Sequence, residues 1–483
     1  MKNILFTLFL IASSLIVCHA QHYYLFGEAT AGGIYGKGVL FRFDPFTGKD
    51  TILFNFNDID GSTPGVCLSL NQNKIIYGIC GYGGSSNDGV LFSYNLSNGI
   101  ENTIFDFDSS NGASPGGGGA GMIFYNGNLY GTTYLGGKYN DGVIFRYNPI
   151  SNKDTVVFSF NGADGKFTDG GLFILNDTSI FGMSTQGGLH NNGVIYRFNL
   201  LKDTAIVLFN FNESTDGTYP GATFTKDSNG LLYGMTPDFG PGGGGTLFSF
   251  NLSTNTKTTL VNFNGTNGEY PFGDLFLATN GLLYGMTEMG GSKNDGVLFS
   301  YNVNTNSYNI ILNFDSINGK YPDGCNLIED TINKTLYGMT TYGGKYNDGV
   351  IFSYNIITDK DSVLLNFNGT NGAIPSGTLL MIPDSLLGIN ELRAKGEEVR
   401  VVPNPNDGIF QLVISNEQLV IKSTVEIYNM LGQEVYSNSY QPIAISHQPI
   451  NINLSSKPSG IYLYRVITVT GELVGEGKFV IEK

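Results

Sequence analysis

Tryptophan is absent from this 483-residue chain, histidine and cysteine each occur four times, and only 14% of the residues are charged. Outside residues 1–20 and the C-terminal stretch, the only histidines are His22 and His190, so a histidine metal centre or a serine-type triad has almost nothing to use. No nucleophile elbow or Cys/His cluster is present either, and the chain is expected to be neither an enzyme nor the holder of a metal or cofactor. Basic residues are the minority, 26 against 41 acidic, for a net charge of -15. Residues 391–483 contribute 8 Lys/Arg minus 10 Asp/Glu, or -2, which leaves -13 for residues 1–390. A field of that sign excludes nucleic acid and anionic membrane surfaces as partners.

Long apolar runs are missing too, with one exception at residues 4–17, behind Met1-Lys2-Asn3 and ahead of Cys18-His19-Ala20. The run is short for a membrane span, so the reading is a secretory signal cleaved after Ala20 and not an integral membrane protein. Cys18 as a lipoprotein cysteine is the rival, opposed by Val17 where that signal wants a small residue. The mature chain then keeps Cys67, Cys80 and Cys325, too few and odd in number for a disulfide framework. Cys67 and Cys80 flank a turn at residues 71–74 and fit either a local disulfide or, as expected here, two unpaired core thiols.

Glycine is abundant, with 67 residues, and so are aromatics at 13%. Their arrangement is periodic. A Gly-Val-Leu/Ile-Phe phrase starts at Gly38, Gly89, Gly142, Gly193, Gly245, Gly296 and Gly349, at intervals of 51 to 53 residues. Read from Gly281, one unit holds four short strands at 282–287, 297–302, 308–314 and 324–329, with turn residues between them and no helical period. Four strands per unit and seven units predict an all-β chain whose residues 21–390 form a seven-bladed β-propeller. The chain begins on one copy of the Leu-Tyr-Gly strand at 24–27 and ends on a copy of the fourth strand at 377–380, so one composite blade is expected to close the ring. A late copy at 386–389 makes eight blades the rival. The spacing, with Gly-Gly pairs such as Gly83-Gly84 and Gly343-Gly344, is similar to that of kelch propellers. The pairs Phe54/Phe56, Phe105/Phe107, Phe158/Phe160 and Phe209/Phe211 are expected to fill the spaces between blades.

Two further resemblances rest on longer motifs. The repeats, with Leu-Tyr-Gly-Met-Thr at 232–236, 283–287 and 336–340 followed by Asn-Asp-Gly-Val, resemble the bacterial GloVer tandem-repeat family, which implies no activity; the fifth unit departs, with residues 241–245 in place of Asn-Asp-Gly. Beyond a charged linker at 391–398, residues 399–483 carry Val-Val-Pro-Asn-Pro-Asn-Asp-Gly-Ile-Phe at 401–410, then Tyr-Asn-Met-Leu-Gly-Gln at 428–433 and Ser-Gly-Ile-Tyr at 459–462. This stretch resembles the type A C-terminal sorting domain of type IX secretion. The resemblance implies a small immunoglobulin-like β-sandwich read by the type IX translocon, with Pro403, Asn404, Pro405, Gly408, Gly432, Gly460 and Tyr462 as its sorting motif, and a destination at the outer-membrane surface or beyond it.

Functional residues are sought where the repeats vary. The loops after the Leu-Tyr-Gly strand hold Tyr82, Tyr134, Tyr139, His190, Phe239, Glu288, Tyr342 and Tyr346, and these are the candidate ligand-binding set. The recurring Asn-Asp-Gly is read as turn chemistry rather than as a metal ring, and residues 57–61 and 108–112 lack the ligand spacing of calcium loops. Asp50-Thr51, Asp154-Thr155, Asp203-Thr204 and Asp361-Ser362 resemble bacterial O-glycosylation sites at one equivalent repeat position. The expected function is non-enzymatic binding or adhesion to an extracellular glycan or protein. The alternatives are a polysaccharide-active hydrolase or lyase with carboxylates at the ring centre, or a passive coat protein.

Overall fold

The computed structural model describes residues 22–65, 68–116, 121–168, 170–176, 178–387, 399–402, 404–414, 423–429, 432–440, 450–468 and 473–483. The signal segment, Cys67, Pro403 and the linker lie outside these residues. The chain divides into two compact units, Met1–Leu387 and Gly388–Lys483.

In the first unit the described residues form seven sheets, each with an antiparallel four-strand path, to which the first adds Cys325–Asn326 in parallel on Ala373–Pro383. The sixth is representative, with Phe276–Leu277 innermost, then Leu283–Thr287 and Val297–Asn302, and Ser307–Asn313 outermost. Its Leu-Tyr-Gly glycine faces Phe299 across the second and third strands, and a Cβ on Gly285 would press into that ring. The same glycine-against-ring contact recurs in the other six sheets, so this glycine exists to let an aromatic lie flat on the neighbouring strand. The first sheet is composite: Ala373–Pro383 pairs with Tyr23–Ala31, in register Phe26↔Leu380, so the two ends of the repeat region share one sheet. Residues Asp384–Leu387 form a helical turn rather than a further strand.

Each sheet packs on the next through one buried ring. Phe56 meets Phe92 at 5.0 Å, Phe107 meets Phe145 at 5.4 Å, Phe160 meets Tyr196 at 5.1 Å and Phe211 meets Phe248 at 5.5 Å. Phe263 and Phe299, Phe314 and Phe352, and Phe367 and Phe41 repeat the contact at 5.3 to 5.5 Å, the last pair joining the seventh sheet to the first. In each expected Phe pair the second ring, such as Phe56 or Phe211, is fully buried and the first is half-buried.

Side chains staple the same interfaces farther out. Asn111 donates to Asp154 at 3.2 Å, Asn318 to Asp361 at 3.3 Å and Asn371 to Asp50 at 3.0 Å, while Lys257 pairs with Asp216 at 3.2 Å. These contacts explain the recurring Asp-Thr/Ser motif structurally, and they correct one alignment. Thr204 pairs with Asn199 where Lys49 pairs with Asp44, so Asp203 stands in the turn before its strand and is not equivalent to Asp50. Between the first two sheets the staple is replaced by Asp60 facing Glu101, and burial together with the Asp60 charge pushes the Glu101 carboxyl up to about 7.

Cys80 and Cys325 are buried free thiols. His22 is buried where the chain ends meet, its ring nitrogens each 3.3 Å from a carboxylate, Asp44 on one side and Asp384 on the other. In the second unit two sheets, of three and four strands, share one core built from Phe410, Leu412, Val425, Ile427, Tyr464, Val466 and Phe479. Of the expected sorting motif, Asn404 accepts from the Val480 N–H at 2.9 Å, Gly408 and Gly432 hold positive-φ turns, and buried Tyr462 donates to the Pro458 carbonyl at 2.9 Å. Pro405 lies between Asn404 and Asn406, and Gly460 opens the strand Gly460–Thr468. Among the described residues no helix is long and apolar enough to cross a membrane.

Candidate binding face

In every sheet of the first unit, the loop between the second and third strands leaves from the same end as the segment crossing to the next sheet. Seven times a loop N–H near the Gly-Gly position donates to a carbonyl of the preceding crossover: Gly33 to Gly369, Gly84 to Asp58, Gly137 to Ser109, Gly188 to Gly162, Gly240 to Glu213, Gly291 to Gly265 and Gly344 to Ser316. The eight candidate residues therefore lie on one face, together with the crossovers.

Each crossover holds a non-glycine residue at positive φ at one equivalent position: Thr63, Ser114, Phe167, Tyr219, Tyr270, Tyr321 and Ile374, at 46° to 58°. Side chains rarely accept that conformation, which costs of order 1–3 kcal/mol and persists where surroundings over-determine it. At Phe167, Tyr270 and Tyr321 both backbone groups are held. In six of the seven the N–H donates to the turn of the preceding sheet, as Tyr270 does to Gly244 at 3.1 Å and Tyr321 to Asp295 at 3.0 Å. The carbonyls of Phe167, Tyr270 and Tyr321 accept from Thr185, Glu288 and Thr341 of the following sheet. The residue thus bridges two sheets through its main chain, and its side chain is left free to vary.

It varies in blocks. Four consecutive interfaces, from the third sheet to the seventh, carry Phe167, Tyr219, Tyr270 and Tyr321, whereas the other three carry Ile374, Thr63 and Ser114. Four candidate loop residues meet this aromatic arc. Tyr134 stacks on Phe167 with centroids 4.8 Å apart and planes at 14°, and Tyr342 meets Tyr321 edge-on at 6.3 Å. The Glu288 N–H donates to the Tyr270 carbonyl at 2.9 Å, and Phe239 joins Tyr219 through the hydrogen bond from Thr218 to Asp238 at 2.8 Å. Tyr82 is exposed beside Thr63, off the arc. Tyr139, His190 and Tyr346 stand at the rim, because the residue before each donates its N–H to the end of its own outermost strand, at Ser159, Asn210 or Asn366.

The arc is acidic at its centre. Asp238, Glu269 and, more weakly, Glu288 raise the Tyr270 phenol. Burial and the neighbouring Asp323 push the Glu288 carboxyl up to about 7, and burial also raises Asp323 and Asp238. Deeper in, Asp274 is pushed up to about 6 by burial but is fully engaged: it accepts from the Thr223 N–H at 2.5 Å and from Asn326, which also donates to Thr378. That girdle ties the inner strands of four sheets together. Each Asn-Asp-Gly asparagine is likewise committed, as Asn140 accepts from the Gly136 N–H at 3.1 Å and Asn294 from Gly290 at 3.2 Å. Among the described residues no three His, Cys, Asp or Glu side chains come together where a metal ion could sit.

The Gloeobacter/Verrucomicrobia repeat model matches residues 118–333 and 277–422, together more than half of the chain. The chain belongs to this repeat family. A secretion-system C-terminal sorting domain matches residues 400–482, which directs the protein through type IX secretion to the cell surface or the medium. Among solved structures it is similar to 6-phosphogluconolactonase-like proteins of Bacteroides uniformis and Bacteroides fragilis, each at 14% identity. The first covers 75% of this chain and 100% of its own with a TM-score of 0.52, the second 76% and 99% with 0.50. That likeness shows a propeller fold. No curated protein matches the sequence.

The family repeat also accounts for what reading the loops alone overlooked. Phe167, Tyr219, Tyr270 and Tyr321 lie outside the loops between the second and third strands, and the sequence signal of this position is the recurring pair before proline at Thr63-Pro64, Ser114-Pro115, Tyr219-Pro220, Tyr270-Pro271, Tyr321-Pro322 and Ile374-Pro375, which Phe167-Thr168 lacks.

Proposed function

We propose that the repeat region is a seven-bladed propeller serving as a non-enzymatic binding module, which presents its aromatic arc to an extracellular glycan or protein once type IX secretion has delivered it. The observation that carries this reading is the block of four aromatic residues at a backbone position that three other interfaces fill with Thr, Ser or Ile. Folding uses the main chain of that position, so the aromatic side chains are surplus to the repeat and are explained by a ligand. The test is saturable binding of the full exported protein to immobilised glycans and matrix proteins, repeated with Tyr219→Ala and Tyr270→Ala. Binding that survives both changes, or none at all, removes the reading.

A second reading is a polysaccharide-active enzyme, supported by Glu288, which is protonated at neutral pH to a degree that suits a general acid, beside Asp323. Release of reducing ends from soluble polysaccharide, lost in Glu288→Gln, is the expected result of that chemistry; intact polymer after prolonged incubation removes it.

A further inference from the structure

The fifth sheet breaks the repeat at one place on the binding face. Six sheets carry two side chains at the tip of this loop: Ile34-Tyr35, Ser85-Ser86, Lys138-Tyr139, Leu189-His190, Ser292-Lys293 and Lys345-Tyr346. The fifth has residues 240–245, Gly-Pro-Gly-Gly-Gly-Gly, in a segment of the same length, since Thr236 to Thr246 spans as many residues as Thr287 to Val297. The glycines let the loop lie on the backbone beneath it. A Cβ on Gly242 would run into the Phe263 carbonyl oxygen and one on Gly245 into that of Thr236, while buried Gly244 donates to Phe263 at 3.1 Å. A side chain at 242 or 244 would lift this segment, so glycine at these two positions lets it lie flat, whereas Gly243 faces open space and Gly240, Gly243 and Gly245 hold positive φ as turn glycines.

The result is a gap in the rim. On one side stands the tip of the fourth sheet, with Leu189 83% exposed, and on the other the exposed Ser292 and Lys293 of the sixth. Beside the gap, among the described residues, lie rings of the arc that no lysine or stacked partner covers. Phe167 lies under Lys166 and against Tyr134, and Tyr321 under Lys320, whereas Tyr219 and Phe239 are 37% and 42% exposed and Tyr270 lies beside them in sequence order around the ring. Asp238, Glu269 and Glu288 surround Tyr270. The Lys257 side chain is buried and paired with Asp216, and the exposed Lys293 stands at the outer edge, on the sixth sheet.

We propose that this flattened sector over the fifth sheet is a groove for a single uncharged polysaccharide chain, which enters across residues 240–245 and ends on Phe239, Tyr219 and Tyr270. The inference rests on the binding reading above and adds to it the place and the ligand class. Aromatic faces take the C–H side of a sugar ring, and carboxylates accept from its hydroxyls. The same carboxylates repel uronic or sulfated chains. A tip reduced to the short ring of Pro241 opens a path for a polymer that continues past the rim, which a compact ligand would not need.

The test exchanges loop tips in the full exported protein. Pro241→Lys, Gly242→Tyr, Gly243→Asn and Gly244→Asp together install the tip of the seventh sheet, and a reciprocal variant places Pro-Gly-Gly-Gly at 85–88 in the second sheet, off the arc. Affinity electrophoresis with soluble β-glucan, α-glucan, mannan, polygalacturonate and oligolysine reads binding, and thermal unfolding confirms that each variant is folded. The expected result is retardation by at least one neutral polysaccharide, weakened about tenfold or more by the fifth-sheet exchange and unchanged by the reciprocal one. Should the exchange not fold, Phe239→Ala replaces it with the same expectation. Undiminished binding in the exchanged protein, with loss in Tyr270→Ala, overturns the groove and leaves the binding face standing. Retardation by polygalacturonate or oligolysine alone overturns the ligand class, and no retardation by any probe overturns the groove altogether.

Discussion

The two parts of the candidate binding face differ in side chains while sharing one backbone. At the interfaces carrying Phe167, Tyr219, Tyr270 and Tyr321, and at those carrying Ile374, Thr63 and Ser114, φ is the same within about a dozen degrees, and the N–H bond to the preceding sheet recurs at all but Tyr219. The buried ring below the face recurs as well, from Phe56 in one part to Phe211 in the other. What separates the two parts is confined to atoms the repeat does not use. A recurring position can thus be constrained in its main chain and free to vary in its side chain, and the two come apart only when all seven copies are laid against one another.

The comparison can be broken at several depths. The largest effect belongs to the shared core: Phe56→Ala and Phe211→Ala are each expected to cost about 3–5 kcal/mol in denaturant unfolding. A clear inequality between them would show that the interfaces are not equivalent beneath the face. Next comes the face itself, where Tyr270→Ala should weaken ligand binding about tenfold and Ser114→Ala should leave it unchanged, as read by titration calorimetry. Equal effects would erase the distinction between the two parts.

Smaller still are the outer staples. Asn371→Ala and Asn111→Ala each remove one side-chain hydrogen bond, at about 0.5–1.5 kcal/mol. Hydrogen exchange should quicken along Tyr23–Ala31 for Asn371→Ala alone, because only that staple spans the joined chain ends. Uniform quickening in both variants would mean that the seam has no individual stability.

The smallest expected change is at the acidic interface of Asp60 and Glu101. The folded carboxyl of Glu101 titrates near 7 against its ordinary 4.5, so between these values the folded state keeps a proton that the unfolded state releases. Its contribution to stability therefore falls as pH rises through that window. Glu101→Gln is expected to raise the melting temperature by about 1–2 °C at pH 8 and to change nothing at pH 4. A gain at both values would assign the effect to packing.

Much of the fold was legible because its causes are local and repeated. The glycine before each facing aromatic, the asparagine accepting from the loop glycine and the alternating Phe pairs all act within one unit or between neighbours at constant spacing. The composite sheet was legible for a related reason, since the two partial copies at the ends complete each other. The site was read only in part. Tyr134, Phe239, Glu288 and Tyr342 stand against the crossover residues, while Tyr139, His190 and Tyr346 point to the rim, a difference set by one hydrogen bond to the outermost strand that spacing does not reveal. The grouping of Asp203 with Asp50 failed because strand register, not motif spelling, decides equivalence.

By itself the sequence determined an exported, acidic, glycine-rich repeat chain, the order of its strands, the pairing of its ends and its secretion route, all of which follow from periodicity, turn chemistry and contiguous motifs. The tertiary structure alone decided which residues share the face, which rings stay open and which carboxylates feel one another. Those depend on distances between sheets about 50 residues apart in sequence, and proximity across a ring is not written in the spacing of any one repeat.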